Sequence, residues 1–274
     1  MAASLLLLTA CSCEAQEPVE GQELVPTTAP GRAGITIMTV YDNYQVDPRL
    51  ETAWGFGCVV MTDATNVLFD TGGSGQVLLS NMSRMGIDPD GIDTVVISHI
   101  HGDHIGGLEA FLGENADVTV HVPASFPDSW RDKITTLGAR YEDVEKASCI
   151  CDTTYTTGEL GTTIKEQGLI IDTPKGAVLI TGCAHPGILT MARRAREVAP
   201  SHRLHLVMGG FHLGGASEAR LTDIIQGFRE LGIEKVAPSH CSGSRCRELF
   251  QAEYAEDYVQ GGAGQIISIP RAEA

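Results

Sequence analysis

The chain has 274 residues, of which 43% are hydrophobic, and its 35 acidic and 19 basic side chains give a formal net charge of −16. The apolar fraction excludes a wholly disordered chain and is sufficient for the core of one large domain. No apolar run approaches the roughly 20 residues that a membrane-spanning helix needs. Because a strongly negative surface repels phosphate backbones, the charge also argues against a nucleic-acid partner.

The first eleven residues resemble the signal segment of a bacterial lipoprotein. Residues 1–10 are apolar, and they lead into Leu8-Thr9-Ala10-Cys11. This sequence has the form of a lipobox, in which a small residue precedes a cysteine that is lipidated after cleavage. It predicts an exported protein on the periplasmic or cell-surface side, which contacts the membrane only through a lipid anchor at Cys11. A cytoplasmic protein is the alternative.

Residues 12–34 have the composition of a disordered tether. They are rich in Glu, Pro, Thr and Gly and contain few large apolar side chains, so they cannot bury enough apolar surface to fold. The folded domain is therefore expected over residues 35–270, a length that suits a single α/β unit.

The folded part alternates between short β-rich runs and helical stretches. Strands are predicted at residues 35–40, 57–61, 66–69, 94–97, 118–122, 169–171, 177–180, 204–208 and 235–237. Helices are predicted at residues 76–85, 107–112, 188–198 and 221–231, and residues 125–147 are interpreted as a helical connection. Two strand-rich halves with outer helices predict an α/β fold in which two β-sheets pack face to face between helical layers.

The cysteine spacing leaves the redox state open. Eight cysteines do not make a disulfide framework in a chain of this length. Cys149 with Cys151, and Cys241 with Cys246, are pairs that an oxidising compartment would allow, and unpaired thiols are the alternative.

The most specific segment is Ser98–Gly107, which reads Ser-His-Ile-His-Gly-Asp-His-Ile-Gly-Gly. It lies between a buried strand and a helix, so we expect it at the carboxyl end of the sheet, where α/β proteins place their sites. Imidazole and carboxylate groups are donors that bind zinc or iron. A compact loop can direct His99 and His101 to one metal, and Asp103 and His104 to a second.

Further donors follow other predicted strands. His185, His212 and His240 each come shortly after a strand in the second half, with glycine neighbours. Three histidines at equivalent strand ends predict a site shared with the Ser98–Gly107 loop. Asp70 ends the strand at residues 66–69, and we expect it to hold a ligand histidine through the second ring nitrogen.

The pattern His-x-His-x-Asp-His, with an upstream Asp-Thr-Gly and isolated later histidines, resembles the metallo-β-lactamase superfamily over about residues 34–270. Residues 181–188 (Thr-Gly-Cys-Ala-His-Pro-Gly-Ile), 209–213 (Gly-Gly-Phe-His-Leu) and 239–243 (Ser-His-Cys-Ser-Gly) resemble one subgroup of it. That subgroup comprises the 7,8-dihydropterin-6-methyl-4-(β-ribofuranosyl)-aminobenzene-5′-phosphate synthase-like proteins. The resemblance implies an αββα four-layer sandwich, with two mixed β-sheets flanked by helices.

The resemblance also implies a ligand set, consisting of His99, His101, Asp103, His104, His185 and His240. Many members of the superfamily carry an aspartate that bridges two metals on a later strand. Here the corresponding stretch reads Gly182-Cys183-Ala184-His185. Cys183 is therefore interpreted either as a thiolate ligand or as a packed neighbour of the ligands.

The expected function is that of a metallo-hydrolase with one or two zinc ions, iron or manganese being the alternatives. A metal ion would lower the pKa of a bound water, and the resulting hydroxide would attack a small ester, lactone or phosphoester. Asp103 would orient the nucleophile, and His212 would contact the substrate.

Three other functions are compatible with the same residues. The subgroup resemblance allows a pterin or ribofuranosyl-aminobenzene-phosphate synthase-like transferase on this scaffold. An iron site would allow redox chemistry. A metal-binding lipoprotein without catalysis is the alternative from another class, although structural zinc sites are usually closed.

Overall fold

The computed structural model of the protein describes residues 34–270. The predicted signal segment and the predicted tether up to residue 33 lie outside the described residues. Within residues 34–270, no helix is both long enough and apolar enough to cross a membrane.

The described chain forms thirteen strands. They are β1 (Ile35–Asp42), β2 (Phe56–Met61), β3 (Asn66–Phe69), β4 (Thr94–Val96), β5 (Thr119–Pro123), β6 (Arg140–Val144), β7 (Lys146–Cys151), β8 (Thr154–Gly158), β9 (Leu169–Ile171), β10 (Ala177–Thr181), β11 (Leu204–Gly210), β12 (Lys235–Ser239) and β13 (Ile266–Ile269).

Seven α-helices accompany these strands in the same part of the chain. They are α1 (Gly75–Arg84), α2 (Gly102–Ile105), α3 (Leu108–Glu114), α4 (Asp128–Thr136), α5 (Ile188–Val198), α6 (Glu218–Glu230) and α7 (Ser244–Tyr254). The amphipathic helices follow the expected spacing: α5 buries Ile188, Met191, Ala192 and Ala195, which share one helical face.

The strands form two mixed sheets. The first has the order β13-β1-β2-β3-β4-β5-β6, and the second has the order β12-β11-β10-β9-β8-β7. In the first sheet β3 to β6 run parallel, while β13, β1, β2 and β3 pair antiparallel. In the second sheet β10, β11 and β12 run parallel, and β7 to β10 pair antiparallel. The parallel strands of both sheets carry the predicted site residues at their carboxyl ends.

Apolar side chains join the layers. A central core between the sheets contains Phe69 and Val96 from the first sheet and Ile180 and Leu206 from the second. The helices α1, α3 and α4 pack on the outer face of the first sheet, and α5, α6 and α7 cover the second sheet in the same way. The protein is therefore an αββα four-layer sandwich, which confirms the predicted fold class.

The interpretation of residues 125–147 as a helical connection was wrong. The segment contains α4, but it continues into β6 and the start of β7. β6 is an edge strand, and Arg140, Glu142 and Asp143 expose their side chains. Because it is exposed and charged, β6 lacks the apolar alternation by which strands are recognised in a sequence.

In the described residues, Cys241 and Cys246 form no disulfide with each other. Cys246 lies on the buried face of α7, and Cys241 lies next to the site described below. The pairing of Cys241 with Cys246 that the cysteine spacing allowed is therefore absent.

Candidate metal centre

The site lies where strands of both sheets end. Asp70 directly follows β3, and His99 comes three residues after the end of β4. From the second sheet, Cys183 follows β10, His212 follows β11 and His240 follows β12. The two sheets therefore contribute to one site from opposite sides.

Several of these strand ends turn through the left-handed backbone region. Asp70, Ala184, His212 and His240 have φ angles of 56°, 61°, 52° and 45°. A non-glycine residue held in such a conformation costs on the order of 1–3 kcal/mol, and such residues concentrate at functional sites. Four of them around one site indicate that the fold holds these side chains in fixed directions.

A buried aspartate anchors two of the histidines. Asp70 accepts hydrogen bonds from the Ser98 backbone N–H (2.7 Å, at Oδ1) and from the Ser98 hydroxyl (2.6 Å, at Oδ2). Oδ2 also lies 2.7 Å from His104 Nδ1, and Ser98 Oγ lies 2.8 Å from His99 Nδ1. Both histidines thus carry a proton on Nδ1, so the neutral form of each ring presents Nε2 as the atom that can bind a metal.

The first group of candidate ligands consists of His99, His101 and His185, whose ligand atoms lie within 4.8 Å of one another. His99 Nε2 is 3.1 Å from His101 Nδ1. Burial lowers the pKa of His99 far below its usual value and that of His185 to about 4, so both rings are neutral at pH 7. Neutral imidazole is the form that binds metals.

The second group consists of Asp103, His104, Cys183 and His240, again with ligand atoms within 4.8 Å of one another. His104 Nε2 lies 3.2 Å from His240 Nε2 and 3.3 Å from Cys183 Sγ. Asp103 Oδ2 lies 3.3 Å from His240 Nε2. Partial burial raises the pKa of the Asp103 carboxyl, but in the metal-free site hydrogen bonding with His240 and the proximity of a protonated His104 ring outweigh burial and hold the pKa below its usual range.

Asn43 fixes the orientation of His240. Its Oδ1 lies 2.9 Å from His240 Nδ1, and its Nδ2 donates to the His240 carbonyl at 3.3 Å. Nδ1 therefore carries the proton, and Nε2 faces His104 and Asp103. Asn43 follows β1 directly and belongs to none of the sequence motifs that predicted the site.

A pair of thiols borders the second group. The Cys183 side chain hydrogen-bonds Cys241, which lowers the pKa of Cys241 and, together with burial, raises that of Cys183. The His212 backbone N–H donates to Cys241 Sγ at 3.3 Å, and a hydrogen bond with Cys241 raises the pKa of the His212 ring. The exposed His212 ring lies 4.4 Å, centroid to centroid, from that of His185.

The donor atoms fit metal ions. Among the described residues, His185 Nε2 is buried without any hydrogen-bond partner. Ring nitrogens face one another at 3.1 Å and 3.2 Å within the two groups, so several potential metal donors converge on a small volume. Nitrogen, sulfur and carboxylate oxygen are the donors that zinc takes. The two groups are therefore consistent with a metal site.

Every site residue predicted from the sequence lies in or beside these two groups. Asp70 and Cys183, expected to support the ligands, contact His104 directly. His212 reaches the site through the neighbouring set of Cys183, His185 and His212. Metal binding by the individual side chains stays a prediction.

Apolar side chains flank the candidate ligands on the solvent side. The Trp54 ring, which is 60% exposed, lies 4.7 Å from the His240 ring between centroids. Ile100, between His99 and His101 in the chain, is 37% exposed and lines a cavity of about 300 Å³ with Phe126 and residues 162–165. Trp54 thus places an exposed aromatic ring beside a candidate ligand, and no motif in the sequence predicted this contact.

The comparison with known families agrees with this geometry. The sequence profile of the metallo-β-lactamase superfamily matches residues 58–240, which include every candidate ligand. The chain belongs to the metallo-β-lactamase superfamily. The resemblance inferred from its motifs is thereby confirmed.

Individual members of the superfamily are similar to this chain in sequence or in fold. The 7,8-dihydropterin-6-methyl-4-(β-D-ribofuranosyl)-aminobenzene-5′-phosphate synthase of Methanocaldococcus jannaschii is 28% identical over 245 residues, covering 73% of this chain and 83% of the relative. The solved structure of Tm1679, a metal-dependent hydrolase of the β-lactamase superfamily, matches with a TM-score of 0.71 and 27% identity, over 86% of this chain and 99% of that one. The metallo-β-lactamase fold protein YhfI from Bacillus subtilis, with a TM-score of 0.65 and 11% identity over 86% of this chain and 100% of its own, shares the fold.

Proposed function

We propose that this superfamily member is a metal-dependent hydrolase that acts on a small ester, lactone or phosphoester. The observation that carries the proposal is the presence of two adjacent ligand groups at the carboxyl ends of strands from both sheets. The rings of His99 and His104, one from each group, lie 4.2 Å apart between centroids. The similarity to a solved metal-dependent hydrolase supports the same reaction class.

Two ions fit the ligand groups. The first would be held by His99, His101 and His185, and the second by Asp103, His104, Cys183 and His240. Zinc suits these nitrogen, oxygen and sulfur donors, with iron and manganese as alternatives. When bound, such ions supply Lewis-acid activation of water and stabilise negative charge on the group under attack.

Asp103 has the position and charge to orient the attacking water. Its side chain is 23% exposed, and its carboxyl is ionised at neutral pH because its pKa lies below the usual range. An ionised carboxylate accepts a hydrogen bond from water. The lone pairs of the water oxygen then point away from the carboxylate.

His212 has the position and charge to contact the substrate. Its ring is exposed at the mouth of the site, and its pKa is raised by the hydrogen bond with Cys241. A protonated imidazole would donate a hydrogen bond to a substrate oxygen and stabilise charge that develops there.

Trp54 and Ile100 are suited to bind the apolar part of a substrate. Both are exposed: Trp54 lies against the His240 ring, and Ile100, which stands between His99 and His101 in the chain, lines a cavity with room for a small organic group. Burying apolar surface contributes about 25 cal/mol per Å² and also removes water from the site. The proposed substrate therefore combines a hydrolysable centre with an apolar or planar group.

The test uses metal-loaded protein and aryl esters, lactones and phosphodiesters in water enriched with ¹⁸O. Hydrolysis transfers one solvent oxygen to the product, which mass spectrometry detects. His101→Ala should abolish turnover because it removes a ligand, whereas His202→Ala should retain it. His202 is an exposed histidine whose ring contacts the Arg196 carbonyl. Undiminished turnover in His101→Ala would overturn the proposal.

A synthase-like transferase is the second candidate. The observation that favours it is the 28% identity to the M. jannaschii synthase over most of both chains. This reaction would join a pterin to a ribofuranosyl-aminobenzene phosphate: the new bond would replace the bond to a leaving group on the pterin, and the aminobenzene would give up the group that occupied the new bond's position. Two organic substrates would therefore be consumed together. A condensation product without solvent oxygen, formed only when both substrates are present, would favour this function over hydrolysis.

We also propose that the protein is exported and anchored through a lipid on Cys11. The proposal rests on the lipobox-like Leu8-Thr9-Ala10-Cys11. Radiolabelled palmitate should be incorporated into the full chain in a bacterial host, and Cys11→Ser should abolish the incorporation. Equal labelling of the wild type and of Cys11→Ser, or no labelling of either protein, would contradict the proposal.

A further inference from the structure

Two adjacent residues outside the ligand groups connect the loops that carry them. Glu166 and Gln167 lie between β8 and β9 and are fully buried. The backbone of Glu166 exchanges two hydrogen bonds with Leu160, at 2.9 Å and 3.0 Å, which fix the segment in place. The proposed reaction uses neither side chain, so the reason for burying them must lie elsewhere.

Glu166 binds the loop from the second sheet. Its Oε1 accepts hydrogen bonds from the backbone N–H groups of Cys183 (2.9 Å) and Ala184 (2.8 Å), and its Oε2 accepts one from His185 N–H (2.8 Å). Three consecutive amides thus converge on one carboxylate, an arrangement typical of anion-binding backbone turns. Ala184 can keep its φ of 61° because these bonds oppose its relaxation.

Gln167 binds the loop from the first sheet. Its backbone N–H donates to the Ser98 carbonyl at 2.9 Å. Its Nε2 donates to the carbonyls of Ile97 (3.0 Å) and His121 (3.3 Å), and its Oε1 accepts from the Thr156 hydroxyl. Gln167 therefore fixes the chain immediately before His99.

These contacts have a consequence for metal binding. Cys183 and His185 belong to the second sheet, whereas His99, His101 and Asp103 follow a strand of the first. Each ligand group takes members from both sides, so its geometry depends on the separation of the two loops. Glu166 and Gln167 are neighbours in the chain and hold one loop each, which leaves little freedom in that separation.

We propose that Glu166 and Gln167 form a brace that positions the ligand loops of the two sheets relative to each other. Both are positioning residues, because they act on the ligands through backbone groups. The inference rests on the proposed metal site, and it adds that the site is pre-formed by a carboxylate and an amide that do not contact the metals. Residues that orient ligands in this indirect way typically change metal affinity by about 10- to 100-fold when they are replaced.

The test compares zinc affinity in wild type, Glu166→Gln and a matched control, starting from metal-free protein and using competition with a chromophoric chelator. Glu166→Gln keeps the size of the side chain but turns one acceptor into a donor that faces a backbone N–H. The control is Glu159→Gln. Glu159 also accepts a backbone N–H, from Ser125 at 2.7 Å, and lies 3.5 Å from Lys165 Nζ, with no hydrogen bond to the ligand loops.

We expect Glu166→Gln to bind zinc about 10- to 100-fold more weakly and to change the cobalt(II) absorption spectrum, which reports ligand geometry. Glu159→Gln should match the wild type in both measurements. Gln167→Ala, which removes the side-chain donors at the other end of the brace, should weaken zinc binding as well. Circular dichroism will show whether Glu166→Gln folds. If it does not, zinc binding by Gln167→Ala tests the brace in its place.

Wild-type zinc affinity and an unchanged cobalt spectrum in the folded variants, with only a lower thermal midpoint, would overturn the brace. Such a result would assign the two residues to general stability. Absence of zinc binding in the wild type would instead contradict the proposed function, and the brace with it. The two failures are therefore distinguishable.

Discussion

Asp70 Oδ2 and His104 Nδ1 lie 2.7 Å apart, and neither side chain is exposed to solvent. The same carboxylate oxygen accepts the hydroxyl of Ser98, which in turn contacts His99 Nδ1. One aspartate thus sets the proton position of two histidines that belong to different ligand groups. The candidate metal centre therefore depends on a residue that belongs to neither ligand group.

Asp70→Asn should weaken zinc binding by about 10- to 100-fold, because an amide has one acceptor atom and no charge to stabilise both contacts. Asparagine tolerates the left-handed backbone at this position, so the fold should persist. Asp152→Asn is the matched control, since Asp152 is an exposed aspartate that also has a positive φ, 41°. Competition titration measures both affinities. Wild-type affinity in Asp70→Asn would refute the role assigned to Asp70.

Gly182→Ala should impair both folding stability and metal binding. A Cβ atom there would lie 2.1 Å from Ser98 Oγ and 2.9 Å from Asp70 Oδ2, and would displace the link between them. Overpacking of this kind typically costs about 1–3 kcal/mol. Gly113→Ala is the control: its Cβ would meet nothing within 4 Å, and alanine in a helix is favoured by about 0.5–1 kcal/mol. Urea unfolding and zinc titration test the pair, and equal behaviour of the two variants would contradict the account.

Cys183→Ser should remove the thiolate-to-metal charge-transfer absorption of the cobalt-substituted protein. Cys183 Sγ lies 3.3 Å from His104 Nε2 and within the second ligand group, so it is placed to bind as a thiolate. Cys246→Ala should retain the band, because Cys246 lies on the buried face of α7 and belongs to neither ligand group. Persistence of the band in Cys183→Ser would show that Cys183 is a packed neighbour and not a ligand.

Asp42→Asn should remove a pH-dependent loss of stability in the metal-free protein. Burial raises the pKa of Asp42 from 3.8 to about 6. A raised carboxyl pKa means that the folded state binds the proton more tightly than the unfolded state does. The stabilisation of the folded state by the protonated carboxyl is therefore complete below about pH 4 and is lost as the pH rises through 6. Relative to the wild type, the variant should gain up to about 3 kcal/mol between acidic and neutral pH.

The measurement for Asp42 is urea unfolding of both proteins from about pH 4 to about pH 8. Asparagine keeps an acceptor for the Tyr44 backbone N–H, which donates to Asp42 Oδ1 at 2.8 Å. A constant difference in the free energy of unfolding across this range would contradict the prediction.

The sequence predicted the parts of the site that local patterns encode. His99, His101, Asp103 and His104 fall within six residues of a single loop, so their proximity follows from chain geometry. His185, His212 and His240 were placed by a second rule, that parallel strands bring their carboxyl ends to one edge. Both rules could be applied because the buried strands that position these residues are recognisable in the sequence by their apolar residues.

The contacts that complete the site had no such signal. Asn43 and Glu166 reach it from 197 and 17 residues away in the chain, measured to His240 and Cys183. Neither belongs to a motif, and each acts through a hydrogen bond that only the packed structure creates. The exposed edge strand β6 was missed for a related reason, since its stability comes from pairing with β5 and not from its own composition.

The most direct test of the account is the metal content of the purified protein, measured by elemental analysis for the wild type, His101→Ala and His202→Ala. Two adjacent ligand groups predict about two metal equivalents in the wild type and in His202→Ala. His101→Ala should lose about one equivalent, because the first group keeps only His99 and His185. Folded wild-type protein without metal above background, or full metal content in His101→Ala, would contradict the central claim.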